Sequence, residues 1–275
     1  MTDDRTLDGK AGAFLDLHRG DKPLLQPNAW DVGSARILQA MGFAAIATTS
    51  SGFAATLGRG DGQVTRAEAL DHCSALSGAV DIPVAADLED CFAAEPDGVA
   101  DTVRLATQTG LAGCSVEDFT RDKEAPIYDV ELAADRVRAA VEAGHAGPQQ
   151  LVVTARAENL LHGVDDLGAT IARLQAYQEA GADVLFAPGI RTLEQVRAVV
   201  SSVDRPVNVL VVGGSPSVEE LASAGVARIS VGGSFAFVAY GALVEMATGL
   251  RERGSVTYPE GLREARKVFV QAFSS

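Results

Sequence analysis

Short apolar runs alternate with longer stretches of helical period, and the alternation repeats eight times along the chain. Runs at residues 23–26, 44–50, 82–89, 113–119, 151–159, 182–188, 206–212 and 228–232 are nearly continuous in aliphatic residues and finish in polar ones. Parallel strands buried on both faces read this way, because neither face calls for polar alternation. Between them, residues 32–41, 66–80, 130–143, 167–180 and 193–203 carry apolar residues at helical spacing. Thr65 before Arg-Ala-Glu is a start signal, and Gly42, Gly110, Gly181 and Gly225 follow last turns as stop signals. Eight βα units in order predict an α/β fold, a (β/α)8 TIM-type barrel, with a doubly wound open sheet as the second possibility. Segments 7–18 and 261–273 read as additional terminal helices, and the second is expected to cap the barrel or pack on a neighbouring subunit. The expected layout is one domain over residues 1–275, with the barrel at about 22–245 and a helical extension at 255–275.

Composition narrows the partners. A net charge of −14 argues against nucleic acid or an anionic membrane, which need a basic footprint. An anionic small substrate stays open, since one metal ion or one arginine reverses the local field. No run approaches the length needed to cross a bilayer, and the polar N-terminus lacks an apolar signal core. Three cysteines, Cys73, Cys91 and Cys114, form neither a disulfide framework nor a zinc spacing, so a cytoplasmic setting is expected.

The chemistry of such a barrel sits at the C-terminal strand ends, and here those ends are acidic. Asp61 follows the second run, Asp87, Glu89 and Asp90 close the third, Glu117 and Asp118 the fourth, and Arg156 and Glu158 the fifth; Asn208 lies in the seventh. Asp87, Glu89, Glu117 and Asp61 are expected to converge, with Asp87 and Glu89 on one strand face because they are two apart. Carboxylates sharing a dry pocket need protons or a cation to neutralise them, and oxygen ligands without Cys or His favour Mg²⁺ or Mn²⁺. Arg156 is taken as the single arginine inside a strand-like run. It either clamps a substrate carboxylate or pairs structurally with Glu158 or Glu117. Residues 48–52, Thr-Thr-Ser-Ser-Gly, offer hydroxyls and free amides at the second strand exit. Gly213-Gly214 and Gly232-Gly233 follow the last two strands, where many barrels grip phosphate; they support the rival reading of a phosphate-binding isomerase or synthase. None of the four lysines lies in a strand, which argues against a Schiff-base aldolase. His162, after the fifth strand, is a possible ligand contact; His18, His72 and His145 fall on helix patterns.

Read together, Pro27-Asn28-Ala29-Trp30-Asp31-Val32-Gly33-Ser34-Ala35-Arg36, Ala-Ile-Ala-Thr-Thr-Ser at 45–50, Asp87-Leu88-Glu89-Asp90-Cys91-Phe92, Val116-Glu117-Asp118, Ala155-Arg156-Ala157-Glu158 and Asn208 resemble the isocitrate lyase/phosphoenolpyruvate mutase superfamily. The resemblance covers residues 22 to 245 in order. It implies a Mg²⁺-binding barrel that acts on a 2-oxo acid such as oxaloacetate, 2-oxoglutarate or a pyruvate derivative, and that makes or breaks the bond beta to the keto carbon. It also implies a homo-oligomer, a dimer or a tetramer built from two dimers that exchange a late helix. Carried over by position, Asp87 is the direct metal ligand, with Glu89, Glu117 and Asp61 acting through water. Thr49, Ser50 and Ser51 seat the substrate carboxylate, Arg156 contacts the oxyanion, and Trp30 and Asn208 complete the pocket.

The departures concern the reaction. Lyases of this group carry a Lys-Lys-Cys-Gly loop after the fourth strand, whereas residues 117–129 here contain no cysteine. The lysine that follows the Glu-Asp pair in mutases and phosphonopyruvate hydrolases is also missing. Glu89 replaces a second aspartate, Ala47 an aromatic residue, and Pro188 an acid. Lys123, Arg121 and Tyr128 are left as loop candidates for proton transfer, and a non-catalytic 2-oxo acid binder is the other reading.

Overall fold

The structure is a computed structural model that describes residues 7–258 and 260–274. Nine parallel strands form one sheet: β1 (Leu24–Gln26), β2 (Asn28–Ala29), β3 (Ile46–Thr48), β4 (Val84–Asp87), β5 (Gly113–Glu117), β6 (Val152–Arg156), β7 (Val184–Phe186), β8 (Val207–Leu210) and β9 (Arg228–Ser230). The order runs β1-β9-β8-β7-β6-β5-β4-β3-β2. Its two ends are successive pieces of one stave, interrupted at Pro27, which has no N–H for the ladder. Ala47 N donates to Pro27 O at 2.9 Å, so the break still carries a bond. Asn28 closes the seam, its Nδ2 donating to Thr48 O at 2.7 Å and its Oδ1 accepting from Val231 N at 3.1 Å and Gly232 N at 2.8 Å. The sheet therefore returns on itself as a barrel, and the open-sheet alternative falls.

The barrel floor is apolar. Helix α1 (Gly9–Asp16) presents Ala11, Phe14 and Leu15 to Leu24, Ala45, Ala85, Ala112, Val152 and Val184. Gly113 permits this approach, because a Cβ there would meet Phe14 Cε1 at 2.9 Å. Outside the barrel, α2 (Val32–Ala40), α4 (Arg66–Ala79), α5 (Pro96–Ala106), α6 (Val130–Gly144), α7 (Leu167–Glu179), α8 (Leu193–Val200) and α9 (Val218–Ser223) cover the strands. Between α2 and α4, α3 (Ser50–Thr56) starts immediately at the strand exit whose hydroxyls and amides the sequence offered; Thr49 is its N-cap. After the last stave, α10 (Ser234–Arg253) leads to α11 (Leu262–Phe273), which lies against α2 of the same chain, Gln271 Nε2 donating to Ala40 O. No helix among the described residues is long and apolar enough to cross a membrane.

Candidate active site

Register brings the predicted residues together at the C-terminal mouth. Glu117 on β5 lies beside Arg156 on β6, and Asp87 on β4 beside Ser115. Arg156 is the hub. Its Nη1 donates to Asp87 Oδ1 at 2.7 Å, Nη2 reaches Glu117 Oε2 at 3.1 Å and Glu158 Oε1 at 2.8 Å, and Nε also donates to Glu158 at 2.9 Å. Both structural partners considered from sequence are thus real, and Asp87 joins them. Burial and charge split the two glutamates. Glu117 is pushed well above the usual carboxylate range because burial outweighs Arg156. Burial also acts on Glu158, but contacts with Arg156 and His162 hold it below that range.

The acid loop after β4 departs from expectation. The strand ends at Asp87, and Glu89, Cys91 and Phe92 adopt φ of 54°, 59° and 56°. Strand alternation therefore does not set the direction of Glu89. Three non-glycine residues in the left-handed region cost about 1 kcal/mol or more each, a strain that persists only where surroundings impose it. Arg136 supplies part of that: fully buried, it donates to Asp90 O at 2.8 Å, Ala94 O at 2.8 Å and Glu117 O at 3.4 Å, and its guanidinium lies 4.1 Å from the Tyr128 ring centroid. Tyr128 is committed to that contact and does not line the cavity.

Glu89 turns instead to Arg121, from the loop between β5 and α6. Arg121 Nε also lies 3.7 Å from Asp90 Oδ2. Burial pushes the Glu89 carboxyl up to about 7 even with Arg121 drawing it down. Gly62 is the notch that admits Arg121, since a Cβ there would fall 1.8 Å from Nη1. The acids are thus shared between two arginines, Asp87, Glu117 and Glu158 around Arg156 and Glu89 and Asp90 around Arg121, and the groups lie close enough that Asp87 and Glu89 both raise Glu117 and Asp61 raises Glu89. Among the described residues, no three Cys, His, Asp or Glu side chains form a ready metal cage.

A cavity of about 190 Å³ opens at this mouth. Thr49, Ser50, Ser51, Asp61, Asp87, Arg156 and Asn208 line it, as expected for substrate contacts. Ser50 N donates to Asp87 Oδ2 at 3.2 Å, and the hydroxyls of Thr49 and Ser51 lie 3.3 Å apart. Glu89, Glu117, Trp30 and Lys123 do not line it. Trp30 sits behind α3, where Gly52 leaves no room for a Cβ, which would meet Trp30 Cβ at 2.9 Å. Lys123 is exposed on the loop. His162 stacks on Phe119 with centroids 3.7 Å apart, away from the cavity. Of the glycine pairs, only Gly232-Gly233 reaches the cavity, and the amides of Val231 and Gly232 are already bonded to Asn28, which weakens the phosphate-cradle reading. All three cysteines are buried; Cys91 is fully enclosed, and burial pushes Cys114, on the cavity wall, up to about 12.

One assignment from sequence is corrected. Arg156 is not the only strand arginine: Arg228 opens β9, is buried, and lines the same cavity from below. The signal was the first position of the run 228–232, which already lies within β9.

A (β/α)8 barrel with an arginine–carboxylate mouth is an enzyme architecture of the isocitrate lyase/phosphoenolpyruvate mutase kind, and the comparisons agree with it. The phosphoenolpyruvate phosphomutase family model matches residues 14–251, and the chain belongs to that family. It is 32% identical over 227 residues to 2-methylisocitrate lyase of Escherichia coli (strain K12), covering 78% of this chain and 75% of that one. A lyase/mutase candidate from Burkholderia cenocepacia J2315 superposes with TM-score 0.89 at 44% identity, covering 94% and 95% of the two chains. Oxaloacetate acetylhydrolase, solved with its product oxalate, superposes with TM-score 0.83 at 27% identity, covering 95% and 94%.

Proposed function

We propose that this enzyme uses Mg²⁺ or Mn²⁺ to act on a small 2-oxo acid, making or breaking a C–C or P–C bond beta to the keto carbon through an enolate. The observation that carries the reading is Arg156, a strand-end guanidinium on the cavity wall beside Asp87, Ser50 and Ser51. Relatives acting on methylisocitrate and oxaloacetate support the substrate class.

The residues fit a hard divalent ion. The donors are oxygens only, and carboxylates outnumber the two arginines that balance them. The lack of a ready cage is compatible with Mg²⁺, which keeps several waters and needs few direct protein ligands. Asp87 would hold the ion directly, with Glu89, Glu117 and Asp61 engaging through water. When bound, the ion supplies Lewis acidity toward the keto and carboxylate oxygens.

The chain's own groups do the rest. Thr49 and Ser51 hydroxyls orient the substrate carboxylate at the start of α3. Arg156 donates charge-assisted hydrogen bonds to the oxygen on which negative charge grows, in a site partly shielded from water. Glu117 and Glu158 hold the guanidinium plane so that it meets that oxygen edge-on. Proton delivery falls to the loop carrying Arg121 and Lys123, since no thiol on that loop can serve. The apolar residues exposed on α10, among them Phe237, Val238, Leu243 and Val244, suit burial against a second copy, and a homo-oligomer in the cytoplasm is the proposed working form.

A thermal-shift screen tests the reading. Stabilisation by oxaloacetate or 2-oxoglutarate only with Mg²⁺ is expected. Stabilisation by sugar phosphates without metal would replace it with the phosphate-binding alternative, and metal-dependent binding without turnover of any 2-oxo acid would reduce the protein to a binder.

A further inference from the structure

The barrel interior below the mouth holds a positive charge that the acid-rich rim does not account for. Such interiors are ordinarily filled by branched apolar side chains. Here the middle layer is polar and incompletely filled: Gln26, Ser115, Thr154, Asn208 and Arg228 border the same cavity as Asp87 and Arg156. Ala47 and Ala85 are too small to close it.

Arg228 is 5% exposed, and among the described residues its guanidinium meets no carboxylate. Nε donates to Asn208 Oδ1 at 2.9 Å, Nη2 to Thr154 Oγ1 at 3.1 Å and Nη1 to His18 Nε2 at 3.2 Å. All three acceptors are neutral. His18 is neutral because burial and the adjacent Arg228 hold it down at about 3, and its Nδ1 is bonded to Phe14 O at 3.0 Å. A guanidinium has five N–H donors, so two are left over. Two other arginines are treated differently: the part-buried Arg156 is ringed by acids and the buried Arg136 by carbonyls. Burying a cation without a counter-charge is costly, and the same burial draws Arg228 down to about 9. An anion arriving in the cavity would remove that cost.

We propose that Arg228, with Thr154, Asn208 and Ser230, forms a carboxylate subsite on the cavity floor that receives the second carboxylate of a dicarboxylic 2-oxo acid. The inference rests on the 2-oxo acid reading of the mouth. Spacing fits it: Thr154 and Arg156 are two residues apart on one face of β6, about 7 Å along the strand. That is the span of a short diacid whose keto-acid end lies at Arg156. A detached monocarboxylate, such as the fragment released by cleavage, offers the same chemistry, so the test separates the two sources.

The experiment measures dissociation constants by calorimetry, at saturating Mg²⁺, for 2-oxoglutarate, 2-oxobutyrate, oxalate and acetate on the parent, Arg228→Met and Arg228→Lys. The methionine variant should bind 2-oxoglutarate about ten- to a hundredfold more weakly, with 2-oxobutyrate and oxalate within about twofold of the parent. The lysine variant should fall between. Acetate binding that disappears in Arg228→Met, with 2-oxoglutarate unaffected, would keep the subsite and assign it to the detached fragment. Equal losses for mono- and diacids, or no loss, would overturn the subsite. If Arg228→Met does not fold, Thr154→Val should show the same diacid-selective loss at smaller size, and absence of selectivity there overturns it equally. A parent protein that binds no 2-oxo acid with Mg²⁺ would instead defeat the reading of the mouth, a result separable from failure of the floor.

Discussion

Arg156 and Asp87 meet at 2.7 Å across the width of β5, which lies between their strands. The contact places the proposed metal ligand and the proposed oxyanion donor in one hydrogen-bonded unit. Asp87 is held on its other oxygen by Ser50 N at 3.2 Å. The carboxylate is thus preorganised from two sides before any ligand arrives, at a mouth position that contributes little to the barrel core. Asp87→Ala should therefore abolish Mg²⁺ binding by calorimetry and abolish turnover, while circular dichroism and the melting temperature stay near those of the parent. Parent-like Mg²⁺ binding in this variant would show that the ligand lies elsewhere.

Substitution of Arg156 separates its two duties. Lysine keeps the charge that Glu117 and Glu158 require but cannot hold three carboxylates in one plane and still direct an N–H at the ligand. Arg156→Lys should retain Mg²⁺ binding and most of the stability, yet lose about ten- to a hundredfold in 2-oxo acid affinity or rate. That range corresponds to about 1.5–3 kcal/mol for a charge-assisted hydrogen bond. If the residue were only an anchor for three carboxylates, the melting temperature would drop and affinity in the folded fraction would stay unchanged.

Arg121 sits where a cation is wanted. Its ion pair with Glu89 neutralises a carboxylate that the metal would engage through water, so guanidinium and metal compete for the same charge. Arg121→Met should tighten Mg²⁺ binding, about three- to tenfold once solvent screening of a part-exposed pair is allowed for. Gly62→Ala, which evicts the same guanidinium by steric contact, should act in the same direction. Weaker Mg²⁺ binding in both variants would mean that Arg121 supports the metal site rather than competing with it.

How far the sequence revealed these features depended on what burial can mark. Every strand but the two-residue β2, which lies beyond the run 23–26, was visible as an apolar run, but the runs overshot: 82–89 against Val84–Asp87, and 151–159 against Val152–Arg156. Leu88, Cys91 and Ala157 are fully buried in the loops beyond, so apolar character continues past the last ladder bond and cannot report where pairing stops. The same overshoot placed Glu89 on a strand face, when its positive φ turns it toward Arg121. Asp87, Arg156, Ser50 and Asn208 were legible because strand ends carry the chemistry in this architecture. The pairing of acids with particular arginines was not, because it depends on a loop whose path no local periodicity encodes. Arg228 was missed for a simpler reason: it stands at the first position of its run, and only closure of the barrel shows that this end of β9 faces the cavity.

His18 provides a measurable link between the floor of the barrel and pH. With Nδ1–H donating to Phe14 O, its Nε2 must accept from Arg228, and only the neutral ring can do both. Protonation would set a second cation against the guanidinium in a site burial has already made hostile to charge. The folded value is about 3 against an ordinary 6.5, so the unfolded chain binds the proton more readily between those limits. Stability should be fully present above about pH 6.5 and fall as pH drops toward 3, by about 2–3 kcal/mol between pH 7 and 4 from this group. Glutamine can accept from Arg228 without titrating, so His18→Gln should flatten that part of the curve. Urea unfolding of both proteins at intervals from pH 7 to 4 reads the difference directly. Curves that run parallel would show that His18 is protonated in the native state at no cost, and that the neutral contact with Arg228 does not hold in solution.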